Sequence, residues 1–258
     1  YGRFVDTLGG RYLTTTDVGS TGRDLEYIKQ ETNHVVGLPT TAGGSGDTSI
    51  MTGLGLYMGM KACAKKAWGS DSLTGKTVAM QGFGKVASHT AHHLMKEDAK
   101  LVVTDVFDGA RDRALDMGLK VVKPEDIYGV DCDIFSPCAL GAVINPDTIP
   151  KLKCKVVAGG ANNQLLAESD GEELHRLGIV YGPDYILNAG GIINVESEVT
   201  GQYNPDRARE KTERIYEIMD RVASISTKEQ ISTAKAADRL AEDRLNSVRG
   251  IRRLHRSN

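Results

Sequence analysis

The sequence predicts an α/β fold built on a doubly wound parallel sheet. Three observations predict it. From residue 77 onward, short β-compatible apolar runs alternate with helical patterns, and right-handed crossovers turn that alternation into a parallel sheet. The first run leads straight into Gly82-Phe83-Gly84-Lys85-Val86-Ala87, a GxGxxA that ends a strand and opens a helix. Asp105 closes the next run, about 20 residues on, which makes the fold Rossmann-type.

Taken in order, residues 11–19 read as a short strand running into a loop, and residues 23–35 as an amphipathic helix with Leu25, Ile28 and Val35 on its apolar side. Gly43-Gly44-Ser45-Gly46-Asp47 is a flexible joint, after which Thr48 or Ser49 caps a long helix through Ile50, Leu54, Tyr57, Met60 and Ala64. The strands are expected at 77–81, 100–104, 132–135, 155–158 and 179–181, with helices at 86–95 and 110–117. Residues 205–248 read as two charged amphipathic helices.

Composition narrows the function classes. With 32 basic and 34 acidic residues among 258, the net charge of −2 offers no basic field to hold a nucleic acid or an anionic membrane. Cys63, Cys132, Cys138 and Cys154 have no zinc spacing and are too sparse for a disulfide framework, so no metal is expected and the thiols read as reduced. No apolar run approaches the ~20 residues of a membrane span, and no leader pattern opens the chain at Tyr1, so the expected location is the cytoplasm. The basic end at 249–256 reads as a solvated helix end or tail.

The GxGxxA segment has a mechanical logic. Gly82 permits the tight turn, Gly84 lets the backbone approach a pyrophosphate, and Ala87 lets the helix pack on the strand, while the helix N-terminus offers N–H groups to phosphate. An ordinary strand-to-helix turn is the plain alternative. Asp105 would accept from ribose hydroxyls, or cap the next helix, and the absence of Arg or Lys in Val106-Phe107-Asp108 favours NAD over NADP. Gly75-Lys76-Thr77 mimics a phosphate-binding loop but precedes a strand, and Ser45 lacks the final glycine of a nucleophile elbow, so both are set aside. Three polar segments remain: Thr14-Thr15-Thr16-Asp17-Val18-Gly19, the GGANNQ at 159–164 that contains Asn163, and the PDYILNAGG at 183–191 that contains Asn188. Singly each fits a turn; together at strand ends they fit a ligand crevice.

At this point the residues resemble the glutamate/leucine/phenylalanine/valine family of amino acid dehydrogenases, in its leucine, valine and phenylalanine branch. Thr16-Asp17-Val18-Gly19, the GSGDTS at 44–49, residues 81–87, Pro137-Cys138-Ala139-Leu140-Gly141, Ala161-Asn162-Asn163-Gln164-Leu165 and the segment from Pro183 through Asn188-Ala189-Gly190-Gly191 match its pattern in order. The resemblance implies NAD-dependent oxidative deamination of an L-amino acid to its 2-oxo acid. It makes Asp17 the acid/base carboxylate, Asn188 a contact to substrate and nicotinamide, Thr52 a contact to the carboxamide, and Ala139 and Leu140 the nicotinamide pocket. Residues 82–88, ending in Ser88, with Asp105, Val106 and Asn163, would complete the cofactor site, and Thr15, Ile192 and Val195 would line the substrate side chain.

The family's catalytic lysine belongs to a GGGK segment, and a second lysine holds the substrate carboxylate; neither segment occurs in these residues. Residues 1–47 are therefore expected to be a remnant of an α/β substrate domain, 48–204 the NAD-binding domain, and 205–258 helices returning toward the first domain, in a homo-oligomer. Thr15 leaves less room than a glycine, which leans the substrate toward leucine and other branched-chain amino acids, with L-phenylalanine next. A non-catalytic NAD-binding module is the reading from another class, against which Asp17 counts, since a binding module has no use for that carboxylate.

Overall fold

The computed structural model describes residues 1–17, 19–199 and 203–254, with side chains to residue 249; Val18, the last two residues of the basic end and the basic-end side chains after Arg249 fall outside them. Six strands, β1 (Thr77–Gln81), β2 (Lys100–Thr104), β3 (Lys120–Val121), β4 (Ile134–Pro137), β5 (Val156–Val157) and β6 (Val180–Tyr181), form one sheet in the order β3-β2-β1-β4-β5-β6. Every pairing is parallel. The alternation of strand side chains makes two cores: Val78, Met80, Ile134 and Val156 face one layer of helices, and Ala79, Phe135 and Val157 face the other.

Eleven helices are described: α1 (Gly2–Thr7), α2 (Gly22–Lys29), α3 (Thr48–Trp68), α4 (Lys85–Lys96), α5 (Asp108–Asp116), α6 (Glu168–Arg176), α7 (Asp184–Leu187), α8 (Gly190–Val199), α9 (Pro205–Glu213), α10 (Ile215–Glu229) and α11 (Thr233–Leu254). Among the described residues no helix is long and apolar enough to cross a membrane.

The long helix α3 organises them. Leu54, Leu56, Met60, Ala62, Cys63 and Ala64 are buried around most of its circumference, as expected of a helix with neighbours on several sides. Its Leu56 and Met60 share a core with Ile215, Met219 and Val222 of α10 and with Ala87 and Ala91 of α4. The C-terminal helices thus pack on α3 beside the sheet. Its cap is Asp47 rather than Thr48 or Ser49: Asp47 Oδ1 accepts from Ser49 N at 3.0 Å and Ser49 Oγ at 2.7 Å. A carboxylate outcompetes hydroxyls here because it also meets the positive end of the helix dipole.

Other boundaries shift for local reasons. The helix expected over 23–35 stops at Lys29, and Val35 lies on an extended segment bridged in parallel to Thr14, which is all that forms of the strand expected at 11–19. Leu25, Val35 and Leu38 still share one small core, so the apolar spacing reported burial correctly and conformation wrongly. β4 begins two residues later than expected, at Ile134, although the Asp133 N–H still donates to Thr77 O at 2.8 Å and its carboxylate accepts from Lys76 Nζ (3.0 Å) and Thr77 N (2.8 Å). The short α1 and β3 went unanticipated, as did the helices α7 and α8 in and after the polar segment at 183–191. The two helices expected over 205–248 are three, broken at Arg214 and at Gln230, whose φ of +56° ends α10 in the left-handed region.

Gly190 fixes α8 against α3, since a Cβ there would lie 2.0 Å from Met51 O. Gly190→Ala should therefore destabilise the protein by about 2 kcal/mol, read as a lower urea midpoint at unchanged slope; an unshifted midpoint would show that the two helices part without cost.

Candidate active site

The crevice opens where strand order reverses, between the carboxyl ends of β1 and β4. Gly82 turns the chain there with φ +95°, and a Cβ would come within 2.8 Å of Ala139 Cβ, so no other residue fits under the loop that follows β4. Phe83, fully buried, donates its N–H to Asp105 Oδ2 at 2.7 Å, while Phe107 N donates to Oδ1 at 2.9 Å. Asp105 thus ties the glycine turn to the start of α5 and keeps lone pairs for a further donor. Gly84 differs from Gly82: its φ is an ordinary −76°, and a Cβ would meet nothing within 4 Å. The protein's own packing does not require glycine there, and the backbone at this point is open to approach. Ala87 is buried under α4, and Ser88 N closes the first helical turn on Gly84 O at 2.9 Å.

A cleft of about 730 Å³ runs from this turn to the segment that carries Asp17. Thr16, Asp17 and Ser20 line one wall, Gly84, Lys85, Val86 and Ala87 the other, with Asp47, Thr48, Ser49 and Cys138 between. Ser20 holds the loop at Asp17: its hydroxyl donates to Asp17 O at 2.8 Å and accepts from Asp17 N at 2.7 Å. Asp47 links the walls, since its Oδ2 lies 3.2 Å from Lys85 Nζ. Burial alone would raise the Asp47 carboxyl, but Ser49 and Lys85 together hold it below the ordinary carboxylate range. Burial pushes the Cys138 thiol up, so it is not a ready nucleophile.

The other two polar segments meet each other. Asn188 Nδ2 donates to Asn162 Oδ1 at 2.6 Å, and Asn163, at φ +53°, donates its N–H to the Asp184 carboxylate. Thr52 lies one turn below Thr48, its hydroxyl on Thr48 O at 2.9 Å. Leu140, Val106 and Ile192 are exposed, whereas Val195 is buried against Gly37, as is the Thr15 hydroxyl, which has no hydrogen-bond partner among the described residues. Of the expected set, Asp17, Gly84, Lys85, Val86 and Ala87 line the cleft; Thr15, Thr52, Gly82, Phe83, Ser88, Asp105, Val106, Ala139, Leu140, Asn163, Asn188, Ile192 and Val195 are not among its lining residues, and Asn163 lines a separate cleft with Asp184 and Tyr185.

The family model described as Glutamate/Leucine/Phenylalanine/Valine dehydrogenase matches residues 43–111 and 105–249. The leucine dehydrogenase of Geobacillus stearothermophilus is 52% identical over 253 residues, 98% of this chain and 69% of that protein. The chain belongs to the glutamate/leucine/phenylalanine/valine dehydrogenase family. It is also similar to the phenylalanine dehydrogenase of Caldalkalibacillus thermarum, at 42% identity over 95% of this chain and 68% of that one. Among solved structures, the L-tryptophan dehydrogenase of Nostoc punctiforme superposes with a TM-score of 0.81 at 41% identity, covering 96% of this chain and 71% of that one. The activity that goes with this dehydrogenase family is oxidative deamination of an amino acid. Membership implies a nicotinamide cofactor, and the open backbone at Gly84, the lone pairs of Asp105 and the bare N-terminus of α4 fit one.

Sequence reasoning missed Asp47, Asn162 and Glu198 as site-forming residues. Asp47 carried a signal, a cap residue directly before a helix. Glu198 carried none, for its partners Gly37 and Ser45 are 161 and 153 residues away.

Two measurements test this geometry. Gly84→Ala should change unfolding stability by less than about 1 kcal/mol while weakening NADH binding roughly tenfold or more, a difference of ~1.4 kcal/mol; unchanged affinity would mean that nothing presses on that backbone. Because the folded Asp47 carboxyl lies below its ordinary value, its contribution is full above about pH 4 and lost as pH falls through the folded value. The stability difference between wild type and Asp47→Asn should accordingly hold constant at neutral pH and shrink on acidification.

Proposed function

We propose that this chain carries out NAD-dependent oxidative deamination of branched-chain L-amino acids, leucine with valine and isoleucine, to the 2-oxo acid and ammonia. The observation that carries the proposal is the cleft itself, in which Asp17 lines the wall across from a glycine turn whose backbone is left open, while the cleft's other carboxylate, Asp47, is engaged by Ser49 and Lys85. Bound NAD supplies the hydride acceptor. The amino acid loses a hydride from Cα and a proton from nitrogen, and water adds to the resulting imine before ammonia leaves. Asp17 is the group of the described cleft suited to take and return those protons, acting as general base toward the amino group and the water and as general acid toward the leaving amine. Gly82 to Ser88 and Asp105 hold the adenosine and pyrophosphate end, with Asn163 and Asn188 toward the nicotinamide.

The preference for NAD rests on charge. Asp105 and Asp108 stand where the ribose is expected, Arg111 is already engaged by the Asp108 carboxylate and by Asp105 O at 2.8 Å, and Arg113 donates to Gly109 O at 2.9 Å. A 2′-phosphate would meet two carboxylates without a free guanidinium. The branched-chain preference rests on Thr15 and on 52% identity to a leucine dehydrogenase against 42% to a phenylalanine dehydrogenase.

The test is NADH formation at alkaline pH with L-leucine, L-valine, L-phenylalanine and L-glutamate offered in parallel. Fastest turnover on leucine or valine supports the reading, and fastest turnover on phenylalanine or glutamate overturns the substrate assignment. Asp17→Asn should retain NADH affinity and lose roughly 10²- to 10⁴-fold in turnover; unimpaired turnover would remove Asp17 from the mechanism.

A further inference from the structure

Helix α8 joins the two walls of the cleft. Its first residues are wedged onto α3, with Gly190 against Met51 and Thr52 backbone and Gly191 against the Thr52 hydroxyl, so α8 moves only with α3. Its last turn reaches the other wall. Glu198 Oε2 accepts from Gly37 N and from Ser45 N, each at 2.9 Å. One turn earlier, Asn194 Nδ2 donates to Ser45 O at 3.1 Å, and Tyr203 Oη donates to Asn194 Oδ1 at 2.8 Å, which fixes the amide's orientation. Both backbone groups of Ser45 are thereby held by α8.

The segment so gripped has little else to shape it. Between Val36 and Asp47 the only regular structure is a single 3₁₀ turn, Thr40–Ala42. Gly37 and Ser45 are both buried, so their N–H groups would be left unpaired without the carboxylate, a cost above the loss of the bond itself. Gly37 also follows the residues that register the Asp17 segment: Val36 N donates to Thr14 O at 2.9 Å and Thr14 N to His34 O at 3.0 Å. A grip on Gly37 is therefore a grip, three residues removed, on the strand-like stretch that leads from Thr14 to Asp17.

We infer that Glu198 is a positioning residue for the deamination: mounted on α3 and α8, it holds Gly37 and Ser45 at the spacing that sets Asp17 opposite the Gly84–Val86 turn. This rests on the reaction proposed above. Glu198 is not among the residues that line the cleft, and among the described residues its hydrogen bonds are to these two amides.

The experiment compares Glu198→Ala with Glu198→Gln in the full chain, with NADH and L-leucine as probes. A glutamine carbonyl can still accept both N–H groups, and alanine cannot. Amide exchange at Gly37 and Ser45 should rise at least about tenfold in Glu198→Ala and remain near wild type in Glu198→Gln. NADH affinity should stay within about twofold of wild type in both, since no residue of the glycine turn touches Glu198. Turnover should fall about tenfold or more in Glu198→Ala at unchanged NAD KM and return in Glu198→Gln, as displacement of a reacting group by ~1 Å predicts. Unchanged exchange in Glu198→Ala overturns the grip. Faster exchange with wild-type turnover overturns the positioning role. Loss of NADH affinity in step with stability overturns it too, because the residue would then act on the whole fold. Wild type that binds NADH without turning over any amino acid would defeat the reaction reading alone, and the exchange comparison would still decide whether Glu198 holds the joint.

Discussion

The first turns of α3 are the fixed point from which the rest of the molecule is built. One helix end carries the Asp47 cap and, through it, Lys85 of the glycine turn; it receives Gly190 at backbone contact and Gly191 against the Thr52 hydroxyl; and deeper along the same helix, Leu56 and Met60 bury against α4 and α10. Side-chain contacts between helices leave some freedom to slide, but backbone against backbone does not, because a shift of a few tenths of an ångström there meets hard repulsion. The geometry of the cleft therefore depends on a packing that is short in range and wide in consequence.

That packing explains which features were legible in the sequence. β1, β2 and the helix after the glycine turn follow from contiguous residues: a buried apolar run, a turn that only glycine can make, and a small residue where helix meets strand. Strand order follows from the crossover rule once the units are counted. Where contiguity fails, reading fails. Val35 has helical spacing from Leu25 and Ile28 yet is extended, because its partner is Thr14 on another segment, and periodicity reports which side is buried rather than the backbone that buries it. The helices in and after the polar stretch at 183–191 had no local signal, because Asp184 and Asn188 find their partners in Asn163 and Asn162, across some 20 to 30 residues of chain.

The candidate site divides along the same line. Gly82, Gly84 and Asp105 announce themselves by spacing, and Asp17 by resemblance to a family motif, but the link between the two walls is made by Asp47, Lys85 and Glu198, whose pairings are contacts between segments. No local rule in a sequence says that Lys85 would lean on Asp47, although Asp47 as a cap residue was open to local reasoning.

Electrostatics within the cleft follow from those links. A carboxylate half-buried beside a cation behaves differently from one buried alone: desolvation pushes Asp47 toward protonation, and two hydrogen bonds from Ser49 with the ammonium of Lys85 push harder the other way. Lys85 in turn points its ammonium at Asp47, 3.2 Å away, and Gly84, Lys85 and Val86 at the N-terminus of α4 line the cleft. An anion arriving there meets unpaired backbone N–H groups and a lysine already oriented, and the ordering cost of that long side chain has been met before binding. The carboxylate that caps the central helix thus also orients the lysine at the N-terminus of α4, so the packing of α3 and the charge lining the cleft share a residue.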